Sequence, residues 1–206
     1  NYLITTIEPK LESIQDDDGN LTHYLGEAYF FRAMAYYNAL VKFGDLPIIT
    51  EVLPNEEGYL QENSVRAPRN EVARFILSDL DEAIKRLNDA GFQNNQRINK
   101  QTAQLFKSRV ALFEGTFEKY HQGTGRVPGD ANWPGGTFEG NIQDEINFFF
   151  DQAMAAASAV ADYSGLTLTE NSHVINPEYG EIYGWNPYFE MFSQPSLSSV
   201  PEVLFW

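Results

Sequence analysis

Apolar residues recur every three to four positions along four stretches of this 206-residue chain, the pattern of helices with one buried face. From Leu21 to Phe43 the pattern runs through Leu25, Ala28, Tyr29, Ala35, Tyr36, Ala39, Leu40 and Phe43, and Gly44 with Pro47 supplies the stop. Asp45-Leu46-Pro47-Ile48-Ile49 then reads as an extended exit, because a residue before proline is pushed out of the α region. A polar connector follows to about Arg69. The next helix opens near Asn70, a good N-cap, carries Val72, Phe75, Ile76, Leu80, Ala83, Ile84 and Leu87, and ends at Gly91. Asn99 caps a third helix with the stripe Ala103, Phe106, Val110, Phe113, Phe117 and Tyr120, which ends near His121. Asn141 or Asp144 opens a fourth through Phe148, Phe149, Ala153, Met154, Ala157 and Val160, closing at Ser164-Gly165.

Four amphipathic helices with no strand alternating between them predict a mainly α fold of stacked antiparallel helix pairs, an α-solenoid with long irregular loops. A 34-residue tetratricopeptide consensus is not met: Ala35 and Pro47 fall at a suitable separation, but the positions expected before them do not. Between Gln122 and Gly140 lie six glycines, two prolines and one tryptophan, a composition that breaks helix and strand alike and predicts a surface loop.

Charge narrows the partners. Lys and Arg number 14 against 29 Asp and Glu, a net −15 that repels phosphate backbones and anionic headgroups, so nucleic acid is not an expected partner. There is no cysteine, which removes disulfides, thiolate nucleophiles and Cys-ligated zinc from these residues. Asn1 to Ile14 has no signal-peptide pattern, and no apolar run approaches the roughly 20 residues of a spanning helix, so membrane attachment is expected only through something outside this sequence. The apolar end Pro201-Glu202-Val203-Leu204-Phe205-Trp206 reads as the start of a strand and predicts that residues 1–206 are part of a longer domain.

Catalytic signatures are missing. There is no Gly-x-Ser-x-Gly elbow, phosphate loop or dinucleotide fingerprint, and no cofactor is expected. His23, His121 and His173 form no zincin pair, and Glu118 with His121 and Glu170 with His173 are read as chance Glu-x-x-His spacings. Asp16-Asp17-Asp18-Gly19-Asn20 fails as an EF-hand, since Gly19 at the sixth position puts Ile14 first and Leu25 twelfth; it reads as a solvated acidic turn, and no metal ligand set is expected.

The run Gly26-Glu27-Ala28-Tyr29-Phe30-Phe31-Arg32-Ala33-Met34-Ala35-Tyr36-Tyr37, continuing to Phe43-Gly44-Asp45-Leu46-Pro47, resembles the Glu-Ala, Arg-Ala and Phe-Gly-Asp-x-Pro pattern of the SusD/RagB family. Ile76 to Ala83 and Ala103 with Arg109 to His121 agree in order and spacing, and Tyr188 to Phe192 and Pro201 to Phe205 look like the family's segment ahead of its second half. The resemblance implies a tetratricopeptide-like helical fold and the N-terminal helical part of one such domain, without the lipidated N-terminus and the C-terminal half. It further implies a non-catalytic protein, lipid-anchored at the outer face of the outer membrane, that captures oligosaccharides for a SusC-like, TonB-dependent transporter. A few members handle peptides instead.

Within the motif, Glu27 and Arg32 are expected to survive burial by pairing, and Gly115 to mark a close helix approach. Glycan capture needs flat aromatic faces flanked by amides or carboxylates. Trp133 beside Asn132 in the Gly-rich loop is the first candidate platform, with a tryptophan folded back as a plug as the alternative reading. Trp185, Asn186 and Tyr188 form a second cluster, and Tyr59 stands in the polar connector; packing roles are the alternative for these. Trp133→Ala is expected to weaken glycan retention with little change in thermal transition. Two other readings stay open: a tetratricopeptide-type scaffold that docks a peptide or protein, and a helical glycosidase.

Overall fold

Two of the long helices begin where the sequence places an asparagine. The Asn99 side chain accepts a hydrogen bond from the Thr102 backbone N–H at 2.9 Å, and Asn141 accepts from Gln143 and Asp144, so both satisfy orphan donors of a first turn. The computed structural model describes residues 1–16, 18–135, 138–168, 175–176, 180–181, 195–198, 200 and 202–205. Its helices are α1 (Tyr2–Ile7), α2 (Asn20–Phe43), α3 (Glu57–Glu62), α4 (Arg69–Arg86), α5 (Lys100–His121) and α6 (Ile142–Ala161). Short 3-10 turns lie at Glu8–Ser13 and Phe92–Asn95. The strand residues β1 (Ile175–Asn176) and β2 (Gly180–Glu181) pair antiparallel, Ile175 opposite Glu181.

The order of packing is α2, α4, α5, α6, each helix against the next. Cross-helix contacts give the directions. Arg32 meets Asp79 and the Asn88 N–H donates to His23 Nδ1, while the Arg69 N–H reaches back to Asp45, so α4 runs antiparallel to α2. Arg69 with Glu114 and Lys107 with Asp81 make α5 antiparallel to α4. The expected mainly α stack of antiparallel helices is the observed architecture. Its core holds Leu25, Leu40, Ile76, Leu80, Val110 and Phe149.

Gly115 and Gly26 show why the stack is tight. A Cβ on Gly115 would lie 3.0 Å from the Phe150 ring of α6, and one on Gly26 3.1 Å from Arg86 at the end of α4 and from Leu87 just after it, so a larger residue would hold the helices apart. Glu27 pairs with Arg97, and Arg32 pairs with Asp79 through two 2.7 Å hydrogen bonds, which is the expected structural use of those motif charges.

Several boundaries differ from the sequence reading. Helix α4 starts at Arg69 behind Pro68 and ends at Arg86, with Leu87 already extended (φ −73°, ψ 143°), so Asn70 lies inside the helix and Gly91 beyond it. Helix α6 stops at Ala161, short of Ser164-Gly165. The polar connector contains α3, and the N-terminal residues fold into α1. The α5 seam also shifts. Ala103, Lys107, Val110, Glu114 and Glu118 are buried, whereas Tyr120 is 73% exposed, because α5 is gripped by α4 and α6 on the side that carries its acids.

Candidate functional site

The segment after α2 builds one end of the stack. Gly44 takes φ +74°, a backbone turn open to glycine, and its N–H closes the helix on the Leu40 carbonyl at 2.9 Å. Asp45 is thereby turned onto α4, where its Oδ1 accepts the Arg69 N–H at 3.0 Å. Leu46 and Ala67 then exchange backbone hydrogen bonds of 3.2 and 2.9 Å, fixing the connector's two ends side by side.

Arg69 is the hub. Its guanidinium makes two 2.7 Å hydrogen bonds to Glu114 and lies 3.4 Å from the centroid of the Phe117 ring. His121, one turn on, stacks against Phe117 at 4.1 Å. A second fork, Arg74 to Glu145 at 2.8 Å, ties α4 to α6. Burial draws Glu145 upward, but the hydrogen bonds from Arg74 and Asn70 outweigh it and leave its acidity above the ordinary.

Glu118 lies between these pairs, fully buried, with no donor among the described residues reaching either side-chain oxygen. Desolvation first, then the charges of Glu114 and Glu145, push its pKa up to about 9. Its proton is thereby held more tightly than an ordinary carboxyl's, with Glu114 one helical turn away.

The Gly-rich loop folds over this end. Asp130 accepts hydrogen bonds from the Gly123 and Gly125 N–H groups at 2.8 and 3.1 Å, tightening the loop so that Val127 and Trp133 turn inward. Between the loop, the last turn of α2 and the start of α4 lies an open cavity of about 330 Å³. Asp45, Arg69, Phe117, Trp133, Lys42 and Arg126 line it. It offers aromatic edges, a carboxylate and cations within one concave surface, the mixture that binds a polar ligand with apolar faces. None of the described residues forms a group of three or more potential metal ligands.

Trp133 lines this cavity, yet it is only 7% exposed and lies across Gly135. It contributes an edge, and no free ring face. Removing so buried an indole costs stability, so the expectation that Trp133→Ala leaves the thermal transition unchanged is corrected. Asn132 is exposed and its Cβ side abuts Gly125; it does not line the cavity. Tyr59 sits on α3, its hydroxyl donating to Glu51 at 2.8 Å, away from this end. Trp185, Asn186 and Tyr188 lie outside the described residues, as do His173 and Glu170. The residues that reading missed are Asp45, Arg69, Phe117, Lys42 and Arg126. The available signal was Glu114 and Glu118 in step with Val110, two acids set into an apolar row.

The described residues thus form a helical stack with a loop-covered cavity at one end. The chain belongs to the SusD-like family described as "starch-binding associating with outer membrane", which it matches over residues 3–112. Two relatives from Formosa agariphila are similar to it: SusD-like protein P2 is 33% identical over 106 residues, 52% of this chain and 20% of that protein. SusD-like protein P38 is 31% identical over 99 residues, 47% of this chain and 18% of that protein. The similarity thus spans about a fifth of those relatives. Among solved structures, a SusD-like protein from Bacteroides fragilis superimposes with a TM-score of 0.59 at 19% identity, covering 93% of this chain and 28% of that one. A laminarin-binding SusD-like protein does so with a TM-score of 0.50 at 22% identity, covering 80% and 28%. These two show a shared fold.

Proposed function

We propose that this chain is the helical framework of a glycan-capturing protein at the outer face of the outer membrane, which binds and releases oligosaccharide without breaking a bond. The observation that carries the reading is the cavity at the Gly44 end, where an aromatic edge, a carboxylate and cations converge on a surface of ligand size, in a chain of the SusD-like family. A laminarin-binding protein of the same fold supports a carbohydrate as the ligand class. In this reading a lipid anchor outside these residues holds the protein at the membrane, and a SusC-like, TonB-dependent transporter receives the cargo. No described helix is long and apolar enough to cross a membrane.

Isothermal titration of the intact protein with starch, laminarin and other oligosaccharides tests the reading. Saturable binding with no change in the sugar's chain length is expected. Absence of binding to every glycan, or release of shorter products, would contradict it. Trp133→Ala should lower glycan affinity and also destabilise the fold by about 3–5 kcal/mol, seen as a lower thermal transition.

A further inference from the structure

The cavity is far richer in cations than the acidic chain around it, with Lys42, Arg69 and Arg126 lining it beside Asp45. Of the 14 Lys and Arg in this chain of net charge −15, eight form ion pairs among the described residues. Lys42 and Arg126 form none there, and both line the cavity. The acids around them are hydrogen-bonded or buried. Asp45 is hydrogen-bonded to the Arg69 N–H, Glu114 to the Arg69 guanidinium, and Asp130 to the Gly123 and Gly125 N–H groups, while Glu118 is buried away from the cavity lining. Two solvated cations therefore stand over a cavity whose carboxylates already have partners.

The last turn of α2 supplies the other half of the chemistry. The carbonyls of Val41, Lys42 and Phe43 end the helix, and no backbone N–H beyond the helix bonds to them among the described residues. Such carbonyls accept hydrogen bonds from hydroxyl groups. They also give that side a partial negative charge, which disfavours a bare anion and which the Lys42 ammonium offsets. A ligand that satisfies both sides carries hydroxyl donors and a negative group on one ring, and Trp133 and Phe117 add apolar edges for its carbon skeleton.

We infer that this cavity receives an acidic sugar unit, a carboxylated or sulfated ring, whose anionic group is held by Lys42 and Arg126. The inference rests on the glycan-capture reading and names its ligand class. The test is affinity electrophoresis of the intact protein against matched polymers: polygalacturonate with its carboxyl-reduced form, and dextran sulfate with dextran, alongside laminarin and starch. Stronger retention by one acidic polymer than by its neutral match is expected, and which pair shows it separates carboxylate from sulfate. The Lys42→Gln/Arg126→Gln double variant should lose that preference by roughly tenfold in affinity with an unchanged melting temperature, since both side chains are exposed. Raising salt from roughly 50 to 500 mM should weaken the same interaction in the unaltered protein. Equal retention of matched polymers, an intact preference in the double variant, or binding of laminarin or starch with neither acidic polymer would overturn the inference and leave glycan capture standing. Binding of no glycan would overturn both.

Discussion

Two buried arginine–carboxylate forks hold this stack, and they are not balanced alike. At the α2–α4 seam Arg32 meets Asp79 one to one, with Asn1 as a further acceptor and the rings of Tyr29 and Phe75 each 5.2 Å from the guanidinium. At the cavity end Arg69 faces Glu114 but shares its neighbourhood with a second acid, Glu118, that no donor reaches. The first fork is a closed clamp. At the second, desolvation and the charges of Glu114 and Glu145 push the Glu118 pKa up, so that an acid with a tightly held proton sits beside the fork.

Breaking one partner of each fork separates them most sharply. Arg69→Met leaves Glu114 wholly buried without its cation, and a cost of about 3–5 kcal/mol is expected in urea unfolding. Asp79→Asn keeps an acceptor for Arg32, whose guanidinium also retains Asn1, so about 1–3 kcal/mol is expected. Equal losses would erase the contrast. The smallest effect has the opposite sign. Glu118 titrates near 4.5 unfolded and about 9 folded, so between those values the unfolded chain binds fewer protons and stability falls as pH rises. Glu118→Gln carries no such dependence. It should match the unaltered protein near pH 4.5 and exceed it at pH 8, read as a higher melting temperature at the upper pH. A gain independent of pH would show that Glu118 is ionised in the folded state.

The helical frame was legible because its four long helices repeat their apolar residues over five or more turns, and because Gly44, Asn99 and Asn141 punctuate them with caps that act locally. Helices α1 and α3 span six residues each, less than two turns, and leave no period to read. Asn70 looked like a cap but stands after Pro68-Arg69, and proline before the first turn set the start instead. At the site, loop composition pointed to Trp133, whereas Asp45, Arg69 and Glu114 come together from three separate segments. Their pairing is tertiary, and single-sequence periodicity registers each as one charged position on a helix or turn. The aromatic row of α5 drew attention away from its acidic row, which is the side the neighbouring helices bury.

The central claim is that ligand meets the protein at the Gly44 end of the stack. Hydrogen–deuterium exchange of the intact protein with and without a bound oligosaccharide tests it directly. The account predicts slowed exchange at residues 41–46 and 123–134, with the α2–α4 seam around Arg32 and Asp79 unchanged. Protection confined to other segments, with those two exchanging as in the free protein, would contradict it.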